Sequence, residues 1–583
     1  MQRIARGTMD CATCEPTRIR PDKPHTFFAH EHVACPKCAR RGEARIVLRA
    51  GQVWALLRCE SCGPVEQLRH PDASAFVAEF LSRGESDAAS PVDRVFKHTT
   101  SVCPHCLQLL EVEVVLRAGK VYFRKDCRFC GKKSEALVSE DALYYVRAYA
   151  FARAGTEPLH YSRKAEHGCP TDCGVCDEHE QHTCLPIIEV TDHCNLECPI
   201  CIVNNRYSTH ISLPAFQRII DGMVHREGMC ESVALSGGEP TSHPEILELI
   251  RIATRPEIGR VVIITNGLRL GRDRAFAEAV RASGAYVALQ LDGFTADTHE
   301  KIRGRDLVAE KDAALRALKE LRIPTQLVFV ATRGANEHQI GQAVDLFLRE
   351  DHILSLNFQP AAFTGFGGGT YPGDPMDRLT IPGVIARIEE QTEGRLRKSD
   401  FYPLPCSHPQ CVSLTYLMKL EDGSHLPFAR FVDFTRFGTL LRSSATLPAN
   451  EQIGDALHEV IHDVFARRDE IERGPEVLGA LRALLLQMFP DRALSPKEAV
   501  RIGEGRAKSI FLHHYMDRHD FDLERLRKCC HHYPQEDGRV MPACGFNMFH
   551  RGAAKGPDTA VAAFARPVAG GIVGRKLPVV GAG

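Results

Sequence analysis

This sequence of 583 residues has almost no net charge, no long apolar run and no apolar segment at its start. The net charge of −1 argues against a dedicated nucleic-acid-binding protein. The longest apolar runs, such as Val261 to Ile264, are far too short to span a bilayer. The stretch Met1 to Cys11 lacks the apolar core of a signal peptide. We therefore expect a cytoplasmic protein and do not expect a nucleic-acid partner.

The rest of the composition is that of an ordinary globular protein, with 44% hydrophobic and 25% charged residues. The length exceeds what one hydrophobic core supports and predicts roughly three to four domains. Cysteine is abundant, with 23 residues. A secreted disulfide framework is one explanation of so many cysteines. Most of them, however, fall in CxxC or CxxxCxxC groups, which suit metal ligation in a reducing compartment.

One cysteine group directly follows a predicted strand at residues 186–191. It has three members with Cx3Cx2C spacing: Cys194, Cys198 and Cys201. Because a 4Fe-4S cluster normally takes four protein sulfurs, three ligands leave one iron free to bind a substrate or a cofactor. A second motif follows the next predicted strand and consists of Gly237, Gly238, Glu239 and Pro240. Its glycines permit a backbone that residues with a Cβ cannot follow.

The N-terminal part contains an internal repeat with an offset of 68 residues. Its first copy has Cys35, Cys38, Cys59 and Cys62, and its second has Cys103, Cys106, Cys127 and Cys130. Between the cysteine pairs the sequence VLRAG also recurs, which predicts a β-hairpin that turns at Ala-Gly in each copy. Four thiolates suit tetrahedral Zn²⁺ or one rubredoxin-like iron. With no open position, such sites are structural or electron-carrying.

Two further cysteine groups predict closed auxiliary 4Fe-4S clusters. The first group consists of Cys169, Cys173, Cys176 and Cys184, in which Cys184 supplies the fourth sulfur. The second group consists of Cys406, Cys411, Cys544 and one of Cys529 and Cys530. Cys11 and Cys14 form a CxxC without a second pair, in a segment that we expect to be mobile.

Strand and helix patterns alternate regularly from residue 186. Strands are predicted at about 186–191, 231–235, 260–265, 285–291, 325–331 and 353–359. Helices are predicted at about 212–226, 243–254, 272–283, 308–321 and 336–349. Six βα units imply a parallel sheet with right-handed crossovers. In barrels the chemistry lies at the C-terminal ends of strands, which selects Asn266, Gln290 and Asp292 as cofactor contacts. Each of these residues could equally cap a helix or shape a turn.

The three-cysteine loop and the GGEP stretch resemble the radical S-adenosylmethionine (radical SAM) superfamily, although Ile200 stands where the superfamily usually has an aromatic residue. The resemblance implies that the open iron chelates the amino and carboxylate groups of the cofactor's methionine. It also implies that Glu239 accepts a hydrogen bond from that amino group, and that the sheet is a partial TIM-type barrel. The expected cofactors are S-adenosylmethionine, the radical-site 4Fe-4S cluster, auxiliary 4Fe-4S clusters, and zinc or mononuclear iron in the ribbons.

A narrower resemblance covers roughly residues 30 to 550. The segments HGCPTDCGVC, CNLECPIC, PCSHPQC and CCHHY are similar to the tetraether lipid synthase family and to relatives proposed as folate-dependent radical methylases. The resemblance implies formation of a 5′-deoxyadenosyl radical and of a C–C bond at an unactivated carbon. Coupling of lipid alkyl chains is the first hypothesis. The alternatives are a radical methylase that uses a folate-type methylene donor on a small molecule, and a multi-cluster electron-transfer protein.

Each hypothesis has consequences for the partners. An external electron donor such as ferredoxin or flavodoxin is expected for the radical chemistry. Lipid coupling further implies a peripheral membrane contact and an apolar channel near residues 359–373, partly lined by residues after 380. A small-molecule methylase needs only a short pocket with hydrogen-bonding groups.

The predicted fold class is therefore α/β, a partial (βα)6 TIM-type barrel with N-terminal tandem metal ribbons and a C-terminal α+β cluster-binding domain. The predicted division is a mobile segment at 1–30, tandem ribbons at 31–138, an auxiliary cluster segment at 139–185, the barrel at 186–375, the C-terminal domain at 376–552 and a disordered tail at 553–583.

Overall fold

The computed structural model describes residues 20–166, 168–170, 172–203, 208–365, 371–443, 451–490, 492 and 496–551. The predicted site at Cys11 and Cys14, most of the glycine-rich loop at 366–370 and the tail at 553–583 lie outside these ranges. Within them, none of the helices combines the length and the apolar character that crossing a bilayer requires.

The internal repeat folds into two four-stranded antiparallel sheets of the same strand order. The first contains β1 (Thr26–Ala34), β2 (Arg41–Arg49), β3 (Gln52–Cys59) and β4 (Gly63–His70), followed by helix α1 (Ala73–Ala88). The second contains β5 (Arg94–Val102), β6 (Leu109–Arg117), β7 (Lys120–Asp126) and β8 (Lys133–Ser139), followed by helix α2 (Ala142–Ala148). The two ribbons share one hydrophobic core.

Both ribbons turn at Ala-Gly, as the sequence predicts. Ala50 and Gly51 have φ values of 50° and 75°, and Ala118 and Gly119 have φ values of 50° and 76°. Two consecutive residues with positive φ define the type I′ turn, whose twist matches that of the flanking strands. Glycine adopts this conformation without the penalty that a Cβ brings.

The barrel region also follows the predicted alternation. Its strands are β9 (Leu185–Thr191), β10 (Cys230–Gly237), β11 (Ile258–Thr265), β12 (Tyr286–Gln290), β13 (Thr325–Ala331) and β14 (Ile353–Pro360). Its helices are α3 (Leu213–Glu227), α4 (Ile246–Ala253), α5 (Leu268–Arg272), α6 (Arg274–Ser283), α7 (Ala296–Arg303), α8 (Val308–Glu320) and α9 (Ile340–Arg349). The six strands pair in parallel in sequence order.

The C-terminal region differs from the expected separate domain, because its strands extend the same sheet at both edges. Its helices are α10 (Ile381–Gln391), α11 (Phe434–Phe437), α12 (Glu451–Ala466), α13 (Gly474–Met488), α14 (Pro496–Arg506), α15 (Leu523–Arg527) and α16 (Ala543–Gly545). Its strands are β15 (Tyr402–Pro403), β16 (Val412–Lys419), β17 (His425–Pro427), β18 (Ala507–His513), β19 (His531–Pro534) and β20 (Val540–Pro542). Strand β18 pairs in parallel with β14, and β19 pairs in parallel with β9.

The two edges of this long sheet approach each other. The ring centroids of His513, at the end of β18, and His531, at the start of β19, are 4.5 Å apart. Ile188 and Val190 of β9 join the core under the outer helices, whereas Ile187 faces the opposite side. There Ile187 packs with Cys173 and residues of the C-terminal segment. The cysteine-rich segments therefore cover the inner face of the sheet.

Candidate active site

The GGEP stretch lies directly against the loop that carries the three radical-site cysteines. The Gly238 amide donates to the Thr191 carbonyl at 2.7 Å, and the Glu239 amide donates to the His193 carbonyl at 2.8 Å. A Cβ added to Gly237 would lie 2.0 Å from the Thr191 oxygen, and one added to Gly238 would lie 2.2 Å from the His193 oxygen. Only glycine allows this approach, which fixes the two motifs relative to each other.

Cys194, Cys198 and Cys201 are each partly exposed on this loop. Burial raises the pKa of the Cys194 thiol to about 12, so cluster binding must displace its proton. Among the described residues, cysteine sulfurs that lie within 4.8 Å of one another form three groups, and the radical-site cysteines are not one of them. Three accessible sulfurs that stand apart fit a multi-iron cluster, in which each sulfur binds a different iron.

Glu239 is 2% exposed and holds the neighbouring loops together. Its Oε1 accepts from the Thr241 amide at 3.0 Å and from the Thr265 hydroxyl at 2.7 Å. Its Oε2 accepts from the Asn266 amide at 2.8 Å. Because a carboxylate offers about four acceptor positions, Oε2 retains capacity for a ligand's ammonium. Glu239 therefore suits the amino-group role that the resemblance implies, and it also has a scaffold role that the motif did not reveal.

The other three sequence-predicted cofactor contacts are joined in one buried network. The side chain of Gln290 hydrogen bonds to Asp292. Lys311 donates to the Asn266 carbonyl at 2.7 Å and to Gln290 Oε1 at 2.8 Å. Asp292 is fully buried and pairs with Arg303 at 2.5 Å. In this structure Asp292 therefore acts through Arg303, whereas Gln290 and Asn266 lie nearer the surface of the site.

This network places a fixed positive charge beside the cysteine loop. Burial opposes the charged form of Arg303, but Asp292 and the Cys198 sulfur outweigh it and raise the pKa of the guanidinium. Burial also lowers the pKa of the Lys311 ammonium to about 7. Sequence reasoning missed Arg303 and Lys311 because both lie on helices, away from the strand ends to which barrel logic points.

The ribbon cysteines form two compact groups, as the repeat predicts. The Cys38 and Cys59 sulfurs are 3.5 Å apart, and the Cys103 and Cys130 sulfurs are 3.6 Å apart. Four sulfurs at this spacing suit one tetrahedral metal ion.

The auxiliary cysteines are grouped differently from the sequence-based assignment. The Cys184 sulfur lies with those of Cys406 and Cys530, all within 4.8 Å of one another. Sequence spacing placed Cys184 with the preceding CxxxCxxC group and could not see this contact, because Cys406 and Cys530 approach from distant segments. The choice between Cys529 and Cys530 also has a structural answer, since the two adjacent side chains join different groups.

The other auxiliary cysteines lie in two neighbouring sets. Cys411, Cys529 and Cys544 line one small cavity. Burial raises the pKa of the Cys529 thiol to about 12, and the charges of Cys411 and Cys173 add to the shift. Cys173 belongs to the second set, with Cys169 and Cys176, whose mutual charges raise each other's thiol pKa further after burial. These six cysteines remain the candidates for auxiliary clusters.

The inner wall of the barrel is polar. Glu189 of β9 and Asn357 and Gln359 of β14 alternate with core residues and therefore face inward. Glu189 forms an ion pair with Arg551, whose guanidinium lies 5.0 Å from the Phe546 ring centroid. Asn357 Oδ1 is buried without a hydrogen-bond partner among the described residues. This wall offers both donors and acceptors to a bound molecule.

Comparison with known proteins agrees with this geometry. The Radical SAM superfamily profile matches residues 188–347, which include the cysteine loop, the GGEP stretch and most of the barrel strands. The chain is a radical SAM enzyme. It uses S-adenosylmethionine and a 4Fe-4S cluster. A second profile, the HMPTM N-terminal zinc ribbon domain, matches residues 95–139, the second ribbon.

Two curated relatives differ in how much they share with this radical SAM enzyme. The 7,8-dihydro-6-hydroxymethylpterin dimethyltransferase of Methanocaldococcus jannaschii is 28% identical over 78% of this chain and 94% of its own length. The GTP 3′,8-cyclase of Syntrophomonas wolfei is 28% identical over 32% of this chain and 58% of its own length. The first relative therefore shares the ribbons and C-terminal cysteine region in addition to the barrel.

Among solved structures, the Streptococcus suis enzyme SuiB bound to S-adenosylmethionine matches 36% of this chain and 46% of its own, with 19% identity and a TM-score of 0.30. A radical SAM methyltransferase from Sphaerobacter thermophilus matches 48% of this chain and 72% of its own, with 15% identity and a TM-score of 0.27. These likenesses are too low to carry an argument about function.

Proposed function

We propose that this radical SAM enzyme is a methylase that acts on a small, flat, polar heterocycle of the pterin class, with a folate-type methylene carrier as the carbon donor. The observation that carries the proposal is the polar inner wall formed by Glu189, Asn357, Gln359 and Arg551. A pterin ring carries N–H groups that suit a carboxylate or an amide oxygen, and a ring carbonyl that suits a guanidinium. The named substrate of the M. jannaschii relative belongs to this class.

The same wall argues against lipid coupling, the first hypothesis from the sequence. A tunnel for alkyl chains needs an apolar lining, because each buried CH₂ contributes about 0.8 kcal/mol only in an apolar environment. The segment where we expected that tunnel instead contacts buried charges. Arg378 donates to the Ala361 carbonyl and pairs with Asp517, which accepts from the Phe363 amide at 2.9 Å. The finding favours a small polar substrate.

When bound, S-adenosylmethionine and the reduced cluster supply a 5′-deoxyadenosyl radical that removes a hydrogen atom from a substrate carbon. The chain supplies position and charge for this chemistry. Gly237 and Gly238 keep the cofactor loop against the cysteine loop, and Glu239 offers Oε2 to an ammonium. Arg303, fixed by Asp292, places its positive charge beside Cys198 and opposes the negative charge of the thiolates.

A binding experiment tests the substrate class independently of turnover. The probe is 6-hydroxymethyl-7,8-dihydropterin, titrated anaerobically into the reconstituted enzyme. Replacing Asn357 by leucine removes an acceptor while keeping the side-chain volume, and we expect pterin affinity to fall about tenfold or more. Gln326→Leu is the matched control, since Gln326 lies on the inner face at the opposite end of β13 and bonds to Ser355 at 3.0 Å. Equal affinity in both variants would contradict the proposed substrate position.

A further inference from the structure

The third compact cysteine group has the geometry of a site for one metal ion. The Cys406 and Cys530 sulfurs are 3.8 Å apart, and the Cys184 sulfur lies within 4.8 Å of both. A zinc–sulfur bond of about 2.3 Å gives a tetrahedron whose edges are about 3.8 Å long. The sulfurs of the two ribbon sites have nearly the same spacing, 3.5 to 3.6 Å.

This spacing does not suit the 4Fe-4S cluster that we expected for these cysteines. In such a cluster each cysteine binds its own iron at a corner of the cube, so the sulfurs stand further apart than they do on one ion. The radical-site cysteines provide the internal reference. All three are described, and their sulfurs do not form a group within 4.8 Å.

A histidine supplies the missing fourth ligand. His182 is 2% exposed, and its Nε2 lies 3.5 Å from the Cys184 sulfur. Its other ring nitrogen, Nδ1, lies 3.0 Å from the carboxylate of Glu227, which is itself buried. Histidines that bind metals usually donate their second N–H to a carboxylate or carbonyl, which fixes the ring and presents the opposite nitrogen to the metal.

Nε2 of His182 has a second contact, at 2.9 Å to the Ser443 carbonyl. Only a protonated Nε2 can donate to a carbonyl, and that proton must leave when the nitrogen binds a metal. Metal binding would therefore exchange this hydrogen bond for a metal–nitrogen bond, while the bond from Nδ1 to Glu227 stays in place.

We propose that His182, Cys184, Cys406 and Cys530 bind one Zn²⁺ ion in a closed Cys₃His site. The ligand set and the absence of an open position are those of structural zinc sites. The site is separate from the radical cluster and from both ribbons. It also leaves the six other auxiliary cysteines, not all nine, as candidates for iron–sulfur clusters.

The position of the ligands gives the ion a structural role. Cys406 follows β15, at one end of the strand order, whereas Cys184 and Cys530 precede β9 and β19 at the other end. Only hydrogen bonds are seen at this junction, from the Cys184 amide to the Cys530 carbonyl at 3.0 Å and from the Gln181 side chain to the Cys406 carbonyl at 2.7 Å. A zinc ion would join both edges of the sheet and close the barrel.

Metal content is the first test. Purified, reconstituted enzyme should contain one more mononuclear ion than the two ribbons account for. Cys406→Ser should lose one zinc and no cluster iron, as measured by elemental analysis and by electron paramagnetic resonance of the reduced clusters. Loss of about four irons with one cluster signal would overturn the proposal in favour of a 4Fe-4S site.

The fourth ligand is tested by ¹¹³Cd resonance, which needs no activity and distinguishes four-sulfur sites from sites with three sulfurs and one nitrogen. The cadmium-substituted wild type should give two four-sulfur signals and one three-sulfur, one-nitrogen signal. His182→Cys should keep the third ion and move its signal into the four-sulfur range, whereas His182→Ala should lose it. His531→Ala is the control, since His531 follows Cys530 and its Nδ1 has no partner among the described residues. Loss of the third signal in that variant and not in His182→Ala would contradict the assignment.

Discussion

The radical site and the ribbon sites use the same ligand, cysteine, for opposite purposes. In each ribbon, two CxxC knuckles bring four sulfurs to within 4.8 Å of one another. At the radical site, one loop presents three sulfurs that are not so grouped, against a glycine pair that allows backbone contact. A closed four-sulfur site has no coordination position for a substrate, whereas three sulfurs on a cluster leave one iron open. The number and spacing of the sulfurs therefore separate structure from chemistry.

The environments differ in the same way. Each ribbon hairpin turns on a glycine that has open space around it, such as Gly119. Around the radical site, Glu239 and Asp292 are buried, and their partners belong to several neighbouring elements. The ribbon sites should therefore tolerate local change, and the radical site should not. Four predictions follow from this contrast, starting with the largest expected effect.

Cys198→Ala should abolish S-adenosylmethionine cleavage, because two sulfurs cannot hold the radical cluster in place. The measurement is 5′-deoxyadenosine formed by the reduced, reconstituted enzyme. Zinc content should not change in this variant. Cleavage at the wild-type rate would mean that the radical site is wrongly placed.

Gly238→Ala should lower cofactor cleavage at least tenfold. The added Cβ would lie 2.2 Å from the His193 oxygen, so the cofactor loop must move away from the cysteine loop. Gly119→Ala is the matched control. That glycine has a φ of 76° and no neighbour within 4 Å, so the substitution should cost about 1 kcal/mol of stability and leave cleavage unchanged. Equal effects of the two substitutions would remove the distinction between the regions.

Asp292→Ala should destabilise the barrel by about 3 to 5 kcal/mol, because it leaves the buried Arg303 without its partner. Asp297→Ala is the control on the same helix. Asp297 and Lys301 form an ion pair with side chains that are 68% and 50% exposed, and such pairs contribute little. Denaturant titration of both variants checks the difference. A loss below 1 kcal/mol for Asp292→Ala would show that Arg303 finds another partner.

Cys38→Ala should remove one zinc ion and unfold the first ribbon locally, since metal binding and folding are coupled in such small sites. We expect cofactor cleavage to fall less than threefold, because the buried contacts of the barrel remain. Elemental analysis and hydrogen exchange across residues 26–70 are the measurements. Unchanged metal content would mean that these cysteines are free, and complete loss of cleavage would make the ribbon part of the catalytic machinery.

The parts of the fold that depend on local sequence were predictable. The βα alternation, the Ala-Gly hairpin turns and the four-sulfur ribbons all follow from patterns within about 30 residues of chain. The pairing of β18 with β14 was not predictable, because more than 140 residues separate these strands. For the same reason the sequence assigned Cys184 to its nearest cysteine neighbours, whereas its sulfur contacts come from Cys406 and Cys530.

The site shows the same division. Spacing identified the three cysteines and the GGEP stretch, and strand ends identified Asn266, Gln290 and Asp292. Spacing could not show that Asp292 is fully buried against Arg303, or that Lys311 reaches Gln290. These contacts depend on helix packing, which no short motif records. The polar inner wall was also missed, because Glu189 and Asn357 are ordinary members of their strands until the barrel places them on the same face.

The most direct test of the account is turnover by the anaerobically reconstituted enzyme with a reducing system, S-adenosylmethionine and a folate-type methylene donor. Parallel reactions contain 6-hydroxymethyl-7,8-dihydropterin or an archaeal-type diether lipid, and mass spectrometry follows both products and 5′-deoxyadenosine. The account predicts a pterin product heavier by one or two methyl groups, 5′-deoxyadenosine that increases with the pterin, and no coupled lipid. A coupled lipid, with pterin unchanged, would contradict the proposed substrate and leave the radical site intact.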